Sequence, residues 1–69
     1  MSQDNVAANL KAARESAGLT GKQAAKQLQI SLITLWRMEA GMREPKATLF
    51  KRMADTYRWS PNRLLNWED

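Results

Sequence analysis

The stretch from Leu19 to Gly41, LTGKQAAKQLQISLITLWRMEAG, constrains the chain more than any other. Thr20 is followed three residues later by Gln23, the spacing of a capping box at a helix start. Gln29-Ile30-Ser31 interrupts the pattern, Ser31 is suited to cap a second helix, and Gly41 to close it. Between these signals the apolar residues fall at helical spacing, Ala24 with Leu28 and then Leu35 with Met38. Two helices this short and this close must cross steeply rather than lie side by side.

The rest of the chain also reads as helix. Val6, Leu10, Ala13 and Ala17 repeat at four, three and four residues, which predicts a buried stripe on a helix from about Asp4 or Asn5 to Ser16, stopped by Gly18. Gly41 to Pro45 is predicted as a loop, with Glu44 held extended by the proline after it. A fourth helix is expected over about Ala47 to Tyr57, burying Leu49 or Phe50, Met53, Ala54 and Tyr57. Ser60 and Pro61 start a last short helix anchored by Leu64 and Leu65. No strand-like alternation, repeat or low-complexity tract interrupts this. The expectation is one all-α, compact five-helix domain over residues 1–69. Its second and third helices, about residues 20–40, form a helix-turn-helix whose second member can enter the DNA major groove.

A chain of 69 residues buries only about 60% of its extended surface, so its core is small and a partner copy could complete it. It has no cysteine and no histidine, which removes disulfides, zinc-finger ligand sets, thiol nucleophiles and histidine acid–base chemistry. The acidic residues form no paired catalytic arrangement and no glycine-rich phosphate loop is present. The chain therefore reads as no enzyme, with neither metal nor cofactor. No apolar run approaches the roughly 18 residues of a membrane span, and no signal-peptide core is seen, so a soluble cytoplasmic protein is expected. The net charge of +4 is unevenly spread. Residues 19–58 hold Lys22, Lys26, Arg37, Arg43, Lys46, Lys51, Arg52 and Arg58 against Glu39, Glu44 and Asp55, a local +5. A polyanion partner explains that bias, and so does a cationic face kept for solubility.

Residues 6–66 resemble the Cro and phage-repressor type of helix-turn-helix DNA-binding domain, the lambda-repressor-like fold. The resemblance rests on Leu10, Arg14, Leu19-Thr20, Ala24-Ala25, Leu28, Ile30-Ser31, Leu35, Glu39, Gly41, Pro45 and Ser60…Leu64-Leu65, in order and correctly spaced. It implies a sequence-specific double-stranded DNA-binding transcriptional regulator, small enough to be a Cro-like phage or prophage repressor. Such a protein works in a bacterial or phage-infected cytoplasm and binds a palindromic operator as a homodimer, one that can be weak without DNA. Two departures stand out. Many members begin helix 2 with Gln where this chain has Gly21, which leaves backbone N–H groups for a phosphate and room for it to come close. The groove face of helix 3 is also more apolar than the family's usual polar readers.

With Leu35 and Met38 facing the core, a turn of ~100° per residue projects Ile33, Trp36 and Arg37 outward, with Leu32 on the flank. The family match likewise assigns base reading to Ser31, Leu32, Ile33 and Arg37. Arg37 has the geometry for guanine O6 and N7, and Ile33 and Leu32 suit a thymine methyl. Leu32 and Ile33 could instead belong to a wider core or a protein-binding surface, and Arg37 to a phosphate contact. Phosphate-backbone contacts fall to Gly21, Lys22, Lys26, Thr34, Arg43 and Lys46, with a solvated face the alternative for Lys22 and Lys26. The resemblance implies an ion pair between Arg14 and Glu39 that ties helix 1 to helix 3. It places a dimer contact after helix 4, at Arg58, Trp59, Pro61 and the neighbourhood of Leu64 and Trp67. Trp36 has two readings, packing on a sugar edge or covering the neighbouring helix. A second class of function is an antitoxin or other partner-binding module, which exposure of Ile33, Trp36, Trp59 and Trp67 would favour.

Overall fold

The computed structural model describes residues 3–65. They form five helices and no strand: α1 (Gln3–Ser16), α2 (Gly21–Leu28), α3 (Leu32–Glu39), α4 (Ala47–Tyr57) and α5 (Pro61–Leu64). The core is made by Leu10 and Ala13 of α1, Ala24, Ala25 and Leu28 of α2, Leu35 and Met38 of α3, Met53, Ala54 and Tyr57 of α4, and Leu64 of α5. Val6, Leu19, Ile30, Leu32, Leu49, Phe50 and Trp59 close over it, each half-buried. Leu49 and Phe50 thus share the position for which the periodicity left one of the two.

The α1 stripe departs from expectation at its C-terminal end. Ala17 is exposed, while Ala7 and Arg14 are buried. The Ala17 N–H still bonds to the Ala13 carbonyl at 3.0 Å, so the turn persists at the helix end, but the buried positions after Leu10 are Ala13 and Arg14, three and four residues on.

The boundaries follow from the caps. At α2, the Thr20 hydroxyl accepts from the Gln23 N–H at 3.1 Å while the Thr20 N–H donates to Gln23 Oε1 at 2.9 Å, a complete capping box. Ser31 and Ser60 cap α3 and α5, accepting from the N–H groups of Thr34 and Arg63. At the other ends, α1, α2 and α3 each close with a paired Schellman geometry. The left-handed residue that closes the helix bonds three positions back and the next one five positions back, as in Gly18 to Glu15 and Leu19 to Arg14. Gly18 and Gly41 take the left-handed conformation this requires without steric cost, but Gln29 (φ 59°) and Arg58 (φ 61°) adopt it with side chains. Two side chains close gaps between elements. Arg52 Nη2 donates to the Leu28 carbonyl at 2.8 Å, satisfying the end of α2 from α4. Asn9 Nδ2 donates to the Leu64 carbonyl at 3.0 Å, tying the first helix to the last.

Candidate nucleic-acid interface

The orientation of α3 is set from behind by a buried ion pair. Arg14 Nε donates to Glu39 Oε2 at 2.8 Å, Nη2 donates to Glu39 Oε1 at 3.1 Å, and Nη1 donates to the Leu19 carbonyl at 2.9 Å. The two planar groups therefore meet bidentately, and the third bond anchors the guanidinium to the start of the turn before α2. The Glu39 carboxylate raises the Arg14 pKa further above its ordinary value, so this charge is permanent. A buried pair of this kind adds little net stability but makes loss of either partner costly. It fixes α1, the α1–α2 turn and the C-terminal end of α3 relative to one another.

Away from the core α3 presents an open face. Ile33 is 60% exposed, Trp36 is 44% exposed, and Arg37 is exposed beside them. Leu32 differs from its neighbours. It is half-buried against the core, with a methyl group 3.2 Å from where a side chain on Gly21 would begin, so α2 takes much of its surface. Ser31 is exposed, and its hydroxyl is engaged with Thr34. It accepts from the Thr34 N–H at 3.0 Å and donates to the Thr34 hydroxyl at 2.8 Å. Thr34 itself is half-buried.

Gly21 holds a different environment from the one read in the sequence. It is buried, and a β-carbon built on it would lie 2.4 Å from Cη2 and 2.6 Å from Cζ2 of Trp36. The space left by the missing side chain is taken by the indole ring and is not open for a phosphate. Trp36 thus covers the neighbouring helix, the second of its two readings, while keeping nearly half its surface free. Its ring also lies 5.4 Å from the Arg14 guanidinium carbon, a cation–π distance. Nothing in the sequence ties a glycine in one helix to a tryptophan fifteen positions on; only the crossing of α2 and α3 brings them together.

Around this face, Lys22 and Lys26 of α2 are exposed, as are Arg43 and Lys46 in the connection from α3 to α4. Arg14–Glu39 is the one ion pair among the described residues, so none of these cations, nor Arg37, is neutralised by a carboxylate there. Their positive charge stands uncompensated toward solvent, which favours a polyanion over a neutral surface.

The segment after α4 is more closed than expected. Arg58 and Pro61 are exposed, but Trp59 is half-buried, packed on the core and covered by the Arg63 guanidinium at 3.8 Å from its ring. Leu64 is fully buried and offers no surface to a partner copy. Trp67 lies outside the described residues. Among the described residues, no helix is long and apolar enough to cross a membrane, and no group of three or more side chains is able to hold a metal ion.

A family model described as a helix-turn-helix domain matches residues 5–67. Among curated proteins and solved structures, none is significantly similar to the chain. The match covers nearly the whole sequence and includes both the capped α2–α3 unit and the helices that brace it: the chain belongs to the helix-turn-helix domain family.

Proposed function

We propose that the chain is a sequence-specific double-stranded DNA-binding transcriptional regulator, a Cro-like phage or prophage repressor that binds a palindromic operator as a homodimer. It acts by binding, without catalysis, metal or cofactor, and works in the cytoplasm. The observation that carries the reading is the free face of α3, held rigid from behind by Arg14 and Glu39 and flanked by unpaired cations. In this reading α3 lies in the major groove. Arg37 reads guanine by bidentate hydrogen bonding, Ile33 takes a thymine methyl, and the exposed parts of Ser31 and Leu32 border the same bases. Lys22, Lys26, Arg43 and Lys46 hold phosphates and fix register, with Thr34 and the first turn of α2 at Gly21 beside the backbone.

Selection from random duplex DNA followed by a salt titration tests this. One preferred sequence should emerge. The logarithm of its affinity should fall linearly with the logarithm of salt concentration, with a slope of about −0.9 per neutralised phosphate. A flat salt response, or no enriched sequence, would overturn the proposal. A second reading, an antitoxin or other partner-binding module, draws on the exposed Ile33 and Met42. A second protein co-purifying with the chain and competing with duplex for Ile33 would favour it.

A further inference from the structure

We infer that Trp36 sets the depth and angle at which α3 seats on a duplex, by packing the open part of its indole against the sugar–phosphate backbone beside the first turn of α2. The inference deepens the duplex-binding reading above and rests on it. Trp36 is a positioning residue here and not a base reader.

Three observations carry it. First, the ring is held in place: its benzo edge rests on Gly21, and the Arg14 guanidinium near it is itself fixed by three hydrogen bonds. A side chain so confined has little rotamer freedom left to lose on binding, which favours affinity. Second, the ring remains 44% exposed, far more than the residues around it that serve only the core. Third, its place is at the junction of the two helices and not in the middle of the α3 face. In a docked helix-turn-helix the first helix crosses the backbone while the second enters the groove. A group lying on the first residue of α2 therefore meets the strand that α2 crosses. The flat apolar face of an indole suits deoxyribose, and its N–H can donate to a phosphate oxygen. Contacts of that kind carry no sequence information but fix register.

Gly21 supplies an independent handle. Alanine there would place a methyl group inside the present position of the ring, so the indole has to shift while every other interface residue is retained. Binding to the selected duplex and to an unrelated duplex is compared for the wild-type chain, Trp36→Phe, Trp36→Ala, Gly21→Ala and the double variant Gly21→Ala/Trp36→Ala, with thermal melting of each. Trp36→Ala should weaken both duplexes by the same factor, on the order of tenfold, and leave the preferred sequence unchanged. Trp36→Phe, which keeps a ring over Gly21, should lose less and serves as the test if Trp36→Ala does not melt cooperatively. Arg37→Ala, by contrast, should alter the preferred sequence at one position. Gly21→Ala should weaken binding in the wild-type background and have no further effect once Trp36 is alanine. Unchanged affinity in a folded Trp36 variant overturns the inference. So does a Gly21→Ala loss that persists undiminished in the Trp36→Ala background, because the glycine would then meet the phosphate itself. A wild-type chain that binds no duplex overturns the functional reading and the inference with it, and is recognised without any variant.

Discussion

At the scale of single residues, two groups behind α3 control stability in different ways. Arg14 and Glu39 are both buried and hydrogen-bonded to each other, so removing one leaves a charge without a partner. Arg14→Met or Glu39→Ala should each cost about 3 kcal/mol or more. The double variant, which leaves no orphan charge, should cost less than the sum of the two. Chemical denaturation of the four proteins measures the coupling, and strict additivity would mean that the pair contributes nothing as a pair. Tyr57 is the second group. Its hydroxyl is buried without a hydrogen-bond partner among the described residues. Burial, helped by the charge of Glu39 and opposed by that of Arg14, pushes its pKa from 10.0 up to about 12. The unfolded chain therefore loses this proton first. The stability due to Tyr57 is fully present below pH 10 and falls as pH rises from 10 through 12, by on the order of 2–3 kcal/mol. Tyr57→Phe should remove that alkaline loss and cost little at neutral pH, where the hydroxyl makes no bond that would be missed. Unfolding followed by circular dichroism across this pH range checks both halves.

At the scale of elements, the helices are defined chiefly by how they end. The chain reverses four times on a left-handed residue, at Gly18, Gln29, Gly41 and Arg58. A side chain in that conformation costs about 1–2 kcal/mol relative to the right-handed form. Gln29→Gly and Arg58→Gly remove that strain but loosen the unfolded chain, so each should stabilise the fold by a net ~0.5–1 kcal/mol. Gly18→Ala should destabilise it by a similar amount although the space around Gly18 is open, since only the backbone objects. Urea denaturation midpoints of the three variants discriminate, and a lowered midpoint for Gln29→Gly would show that the Gln29 side chain itself matters. The element most sensitive to such changes is the turn between α2 and α3, where Gln29 sits and where half-buried Ile30 reaches the core.

At the scale of the whole molecule, size sets how the chain can meet DNA. The described residues measure 32 × 23 × 20 Å, close in length to one turn of B-DNA at ~34 Å, and they carry a single α3. One such helix touches few base pairs and discriminates weakly against the competing sites of a genome. Two copies related by a two-fold axis would place their α3 helices ~34 Å apart on half-sites of opposite direction. Sedimentation with the selected duplex should therefore give two chains per full site, and one chain per site would refute the dimer. With Leu64 buried and Trp59 covered by Arg63, a contact between copies in this region would have less apolar surface available than the sequence suggested. Free association should accordingly be weak, with sedimentation of the chain alone dominated by monomer at micromolar concentration.

The helices and their limits were legible in the sequence, because they depend on interactions within a few residues. The Thr20–Gln23 box, the caps at Ser31 and Ser60 and the stops at Gly18 and Gly41 are local chemistry, and each lies where the spacing predicts. The core faces of α2, α3 and α4 followed from periodicity for the same reason. Tertiary structure decided what periodicity cannot carry. Ala17 stayed outside the core while Arg14 entered it, and Leu32 was drawn toward α2 while Ile33 stayed open. Trp36 found its bed on Gly21, Arg52 closed the end of α2, and Asn9 reached α5. Those contacts join residues far apart in the chain or depend on how two helices cross. A one-dimensional pattern encodes which face of a helix is buried, but not which neighbour lies against it.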